Sequence, residues 1–110
     1  MKAKLRGVVA GMLLLGLCAA ASAETTSTSM LDFAQSHNCM SCHSVSRTFM
    51  GPSFGSVAHK YAHVEGARTT LARRIVEGGV GVWGPVPMPA NTQISPDQAV
   101  ALADWILSLQ

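Results

Sequence analysis

Apolar positions in the last third of the chain recur with a helical period. Ala99, Leu102, Ala103, Ile106 and Leu107 fall at the i, i+3, i+4, i+7 spacing of one buried helix face. Ser95-Pro96-Asp97-Gln98 stands directly before them. A capping serine, a proline in the first turn and a glutamine at the third position together predict a helix start. Thr69 to Glu77 is a second periodic run, with Leu71, Ile75 and Val76 on one face and Gly78-Gly79 as its C-terminal stop. Phe54 to His63 reads as a shorter helix. Further upstream, Ser29 precedes Asp32 by three residues, a capping-box spacing, and Leu31, Phe33 and Ala34 follow in a run that stops near Asn38. Ser44 to Pro52 has no period and contains Gly51-Pro52, so it reads as loop. No segment alternates with period two. The pattern predicts an all-α fold of four or five helices.

One stretch fits no regular element. Val80 to Ile94 holds Gly81, Gly84, Pro85, Pro87 and Pro89, with three prolines at alternate positions. A loop of 15 residues in so small a domain is usually functional. With so few donors, it is expected to be held by something other than backbone pairing.

Composition changes the picture at the N-terminus. The chain has 110 residues, room for one small domain. Hydrophobic residues make up 48% and charged ones 13%, the reverse of a disordered composition. Lys2, Lys4 and Arg6 precede an uncharged run from Gly7 to Ala23 that ends in Ala21-Ser22-Ala23. A basic start, a short apolar stretch and a small-x-small exit describe a secretory signal peptide. The expected division is residues 1–23 as signal and 24–110 as the mature domain, with Thr25 to Ser29 a mobile leader. Removing the three N-terminal basic residues leaves five basic against six acidic side chains, and the formal charge moves from +2 to −1. No basic stripe remains, so a nucleic-acid partner is not expected.

The mature chain keeps two of three cysteines, in Cys39-Met40-Ser41-Cys42-His43. Two cysteines three apart followed at once by histidine form the attachment motif for c-type haem. The spacing has a chemical reason. Two thiols add to the two vinyl groups on one edge of the porphyrin, and the next residue carries an imidazole under the iron. Haem attachment occurs outside the cytoplasm, so the export signal and this motif support each other. Three other readings compete. A Cys39–Cys42 disulfide would leave His43 unexplained. A thioredoxin-like pair would need a βαβ context, which is absent. Cys39, Cys42, His59 and His63 spell C-x2-C-x16-H-x3-H, close to a Cys2His2 zinc site.

With haem, His43 takes the first axial position on iron. Candidates for the second are Met30, Met40, Met50, Met88, His37, His59 and His63. Met88 lies between Pro87 and Pro89 in the long loop, which needs an anchor, and this favours it. His59 and His63 leave a bis-His arrangement open.

At this point the sequence resembles the small bacterial class I cytochromes c, the cytochrome c five-fifty-one group. Gly81-Val82-Trp83-Gly84-Pro85-Val86-Pro87-Met88-Pro89-Ala90-Asn91 matches the family's methionine loop, and Gly51-Pro52 matches the pair that follows the haem motif. Ala90 stands where a proline is common. The resemblance implies a small class I fold around one haem held covalently by Cys39 and Cys42, with His43 and Met88 on the iron. It implies that the Pro52 carbonyl accepts the His43 N–H, that Arg74 and Trp83 contact the propionates, and that Asn91 contacts the Met88 sulfur. Phe49, Phe54 and Tyr61 read as pocket and core packing, and Trp105 as packing of the last helix. The implied function is one-electron transfer by a monomeric periplasmic carrier, not an enzyme. Implied partners are redox proteins such as a nitrite reductase, a terminal oxidase or a quinol-oxidising complex. A haem subunit of a periplasmic dehydrogenase is the alternative with the same chemistry.

The export reading makes one measurable statement. Protein purified from periplasm should have the mass of residues 24–110 plus one haem; a mass that retains Lys2 to Ala23 would contradict it.

Overall fold

The most complete helix cap among the described residues is the one predicted at Ser95. In the computed structural model, which describes Gly7 and residues 22–110, the Ser95 hydroxyl accepts from the Gln98 N–H at 3.2 Å. The Gln98 side chain accepts from the Ser95 N–H at 2.9 Å. Both halves of a capping box are therefore made, with Pro96 at the first helical position. Each bond satisfies a backbone donor that a helix start otherwise leaves open.

Among the described residues four α-helices follow one another: α1 Ser22–Ser36, α2 Phe54–Tyr61, α3 Ala67–Glu77 and α4 Pro96–Leu107. A 3-10 turn, Cys39–Ser41, lies between α1 and α2. The described residues contain no strand, only one isolated antiparallel bridge between Gly79 and Met88. The all-α expectation holds, with the last two helices within two residues of their expected starts.

The first helix differs from expectation. It begins at Ser22, so it runs across the expected cut after Ala23 and through Thr25 to Ser29. Ser29 is inside the helix, not its cap. Serine and threonine cost only about 0.5 kcal/mol each relative to alanine in a helix. Once the packed turn around Leu31 and Ala34 exists, extension costs little. Of residues 22–28 only the helical backbone is described, and the rest of the expected signal segment lies outside the described residues, Gly7 excepted.

The core forms around α4. Ala99, Leu102, Ala103, Trp105 and Ile106 are buried and meet Leu71, Ala72 and Ile75 of α3 and Phe54 and Val57 of α2. Ala34 closes the cluster from α1. The Trp105 ring meets Phe54 edge-on, with centroids 5.5 Å apart and planes at 77°. That geometry sets the positive ring edge against a negative ring face. On the surface, Arg68 of α3 makes a bidentate pair with Asp104 of α4, at 2.7 and 2.9 Å.

The segment after α3 is more ordered than its composition predicts. Gly79 N–H donates to the Met88 carbonyl at 2.9 Å, and Met88 N–H donates back to Gly79 at 2.8 Å. Backbone pairing thus closes the base of the loop, contrary to the expectation that another anchor would be needed. The double glycine makes room for this. Gly78 has φ 71°, and a Cβ there would sit 2.5 Å from the Met88 oxygen. Beyond Met88, the Asn91 backbone N–H donates to Val76 at 3.1 Å and its side-chain amide to Ile75 at 2.9 Å. Asn91 so caps carbonyls in the last turn of α3 that have no helical partner.

Two substitutions test this account by denaturant unfolding of the holoprotein. Leu102, 1% exposed, should lose about 2–5 kcal/mol on Leu102→Ala. Gly78→Ala should lose about 1–3 kcal/mol through the positive φ alone, and more as the Met88 segment is displaced.

Candidate functional site

Cys39 and Cys42 are carried by the 3-10 turn that follows α1. Asn38 enables that turn: it adopts the left-handed conformation, φ 61°, which asparagine tolerates better than most side chains. Both cysteines are unpaired and half-buried. Burial pushes the Cys39 thiol above its usual range, an effect its backbone hydrogen bond only partly offsets. The neutral thiol is the less reactive form toward oxidation. No disulfide joins the pair.

His43 leaves the turn with its ring fixed on two sides. It stacks on Phe54, with centroids 5.1 Å apart and planes at 23°. Its Nδ1 lies 2.7 Å from the Pro52 carbonyl oxygen. A carbonyl only accepts, so Nδ1 carries a proton, and in the neutral imidazole Nε2 is then the nitrogen with the lone pair. Gly51 gives the ring its space, since a Cβ there would lie 2.8 Å from His43 Cε1. The loop that brings Pro52 round is tied by Gly51 N–H to the Cys42 carbonyl at 2.8 Å and by Phe54 N–H to Ser44 at 2.8 Å.

These residues open onto one mostly apolar cavity. Cys39, Cys42, His43 and Pro52 line it from one stretch of chain, and Arg74, Trp83, Met88 and Asn91 from another. All eight site residues expected from the sequence therefore meet at one place. The empty space out to the open mouth is about 1260 Å³. Leu71, Ile75, Leu102 and Ile106 add core side chains. Two free thiols beside a histidine with an available Nε2, facing an apolar cavity, fit a flat apolar group attached through sulfur.

Individual positions carry details the sequence did not show. Arg74 donates to the Gly78 carbonyl at 3.2 Å, and a Cβ on Gly79 would collide with its guanidinium. The Asn91 amide nitrogen is engaged with Ile75, and its second hydrogen is the one left for another acceptor. Trp83 is 46% exposed, with the Lys60 ammonium 5.3 Å from its ring centroid. Phe54 and Tyr61 line the cavity as expected, but Phe49 does not and is 54% exposed. Its loop turns outward so that Pro52 can face His43. Trp105 packs in the core as read.

The other ligand candidates are elsewhere. Met30 and Met40 pack against the core. His37 stacks on Phe33 at 4.0 Å, and its Nδ1 lies 2.8 Å from the Phe33 carbonyl. His59 and His63 are exposed and do not line the cavity. Among the described residues no three His, Cys, Asp or Glu side chains come together as a metal site. That removes the Cys2His2 zinc alternative. Met50 and Met88 are the methionines that share the cavity with His43.

Comparison with known proteins agrees with this chemistry. The cytochrome c family profile matches residues 32–110. The chain is 47% identical over 79 residues to cytochrome c-552 of Nitrosomonas europaea, covering 72% of this chain and 77% of that protein. It is 49% identical over 76 residues to cytochrome c-551 of Stutzerimonas stutzeri, covering 69% and 72%. The crystal structure of the Nitrosomonas europaea cytochrome c552 superposes with a TM-score of 0.70 at 46% identity, over 73% of this chain and 99% of that one. A motif, an apolar cavity and a fold thus converge: the chain belongs to the cytochrome c family, as an electron carrier with one covalent haem c whose attachment motif Cys39 and Cys42 fit.

Proposed function

We propose that this chain is an exported, monomeric one-electron carrier whose haem iron is held by His43 and Met88. The observation that carries the reading is the shared cavity, with His43 and Met88 each fixed by backbone bonds of its own segment. A bound haem c supplies the ferric–ferrous couple; the residues determine how it is held and poised.

His43 offers Nε2 because its Nδ1–H donates to the Pro52 carbonyl, and that bond also makes the imidazole a better electron-pair donor. Met88 is preferred to Met50 on position. Met50 adjoins Gly51, whose backbone lies against the His43 ring, so it belongs to the His43 side. Met88 comes from the separate segment after α3, and its N–H and carbonyl are both committed to Gly79. Pro87 and Pro89 fix φ on either side, so little backbone freedom is lost on ligation. Thioether is a weak ligand for ferric iron and benefits from that pre-positioning.

Trp83 and Arg74 line the same cavity and carry donors suited to propionates, a single indole N–H and a guanidinium fork. The second hydrogen on Asn91 Nδ2 would serve the Met88 sulfur. Two neutral ligands in an apolar cavity disfavour the ferric charge, and thioether ligation raises the potential further. With His43 and Met88 both given to the iron, no position would be left for substrate, which is why we assign no enzymatic role. A formal charge of −1 on residues 24–110 gives little long-range steering. Met50, Val80, Val82 and Val86 are exposed around the cavity and offer a redox partner an apolar contact. Export to the periplasm follows from the N-terminal pattern. A nitrite reductase, a terminal oxidase or a quinol-oxidising complex are the partner types the family resemblance favours.

Met88→Ala decides the ligand. The ferric variant should lose the weak charge-transfer absorption of an iron–sulfur bond, bind added cyanide quickly and have a lower potential. Met88→His should stay six-coordinate and also fall in potential. An unchanged ferric spectrum and potential in Met88→Ala, with both altered by His59→Ala or His63→Ala, would make the haem bis-His.

A further inference from the structure

The excursion between Gly79 and Met88 is fastened at its base but hardly at its tip. Within residues 80–87 the backbone bonds reduce to one, Gly81 N–H to the Gly84 carbonyl at 3.0 Å, which is internal. Among the described residues, no hydrogen bond joins this tip to a helix. What does reach it is a side chain. The Lys60 ammonium of α2 lies 5.3 Å from the centre of the Trp83 ring, within the range of a cation–π contact. Lys60 makes no ion pair among the described residues; the one pair there is Arg68–Asp104. Trp83 lines the cavity and also a shallow outer groove that it shares with Lys60. The helix that carries Lys60 is the one whose Phe54 stacks on His43.

We propose that Lys60 is a positioning residue. Its ammonium holds the Trp83 ring and so latches the tip of the loop to α2, joining the segment that carries Met88 to the helix that orients His43. The latch has two consequences. It fixes where the Trp83 indole N–H lies at the cavity. Resting on the Met88 reading given above, it also slows the openings of the loop that would release the sulfur from iron. Both walls of the cavity are then tied at the mouth as well as at the base. An exposed cation–π contact is modest, so the latch should change local opening by about two- to fivefold.

The test uses the ferrous holoprotein and two variants. K60M keeps the apolar stem and removes the charge, while K60R keeps a cation able to sit over an indole. Exchange of the Trp83 indole N–H with solvent, read by NMR, should be about two- to fivefold faster in K60M and close to wild type in K60R. The buried Trp105 indole is the internal control and should not change. In the ferric protein, displacement of the axial ligand by cyanide should quicken by a similar factor in K60M and recover in K60R. Equal Trp83 exchange in K60M and wild type would overturn the proposal. So would K60R exchanging as fast as K60M, which would show that stem packing and not charge matters. Failure of the Met88 assignment would appear elsewhere, as Met88→Ala leaving the cyanide rate unchanged, and would leave the indole comparison intact.

Discussion

Two hydrogen bonds between Gly79 and Met88 set the form of the site. Without them, the chain between α3 and α4 would be a long excursion whose central methionine could sit in many places. With them, it becomes a short closed loop, residues 80–87, followed by a return segment fastened to α3 through Asn91. The constraint propagates backwards into sequence. Gly78 must lack a side chain because the Met88 carbonyl occupies its place, and a Cβ on Gly79 would displace the Arg74 guanidinium. The α3 terminus, the bridge and the arginine are therefore one packed unit.

The other half of the cavity is organised by a relay of rings. Trp105 on α4 packs edge-on against Phe54, and Phe54 stacks on His43, which Pro52 holds by its outer nitrogen. A histidine in the twelve-residue segment 42–53, between the 3-10 turn and α2, would be poorly placed by that segment alone. Here the hydrophobic core reaches it through Phe54, 4% exposed, which also begins α2. The energy that buries α4 is thus also the energy that orients the imidazole. Core and site cannot be varied independently along this line.

How much of this the sequence disclosed follows from what each signal depends on. α4 was readable to the residue because its cap chemistry and its apolar period are both local. The cysteine pair and its histidine were readable because covalent attachment demands a fixed spacing. Met88 was favoured by its flanking prolines, Pro52, Arg74, Trp83 and Asn91 were placed through family resemblance, and the structure brings all five to the cavity. The Gly79–Met88 pairing was not readable: prolines on both sides argued against a ladder, yet a single bridge needs only one donor from each residue. The start of α1 was missed because a serine–threonine run looks like a leader when judged by composition. Phe49 was assigned inward because aromatic identity says nothing about which way a loop turns. Lys60 gave no signal, since a surface lysine is the commonest sight on a helix and its partner is 23 residues away.

The prolines beside Met88 have an effect on how molecules of this protein meet one another. An isolated bridge with valines exposed around it resembles the beginning of a sheet, and unpaired strand edges are where chains aggregate. Along an extended segment, N–H groups at alternate positions face the same edge. Met88 spends its N–H on Gly79, so the opposite edge would be served by residues 87 and 89. Both are proline and have no N–H to give. The segment can therefore accept one partner strand and cannot template another. On the reading proposed above, the apolar face offered to redox partners thus lacks a second row of donors with which another copy could pair.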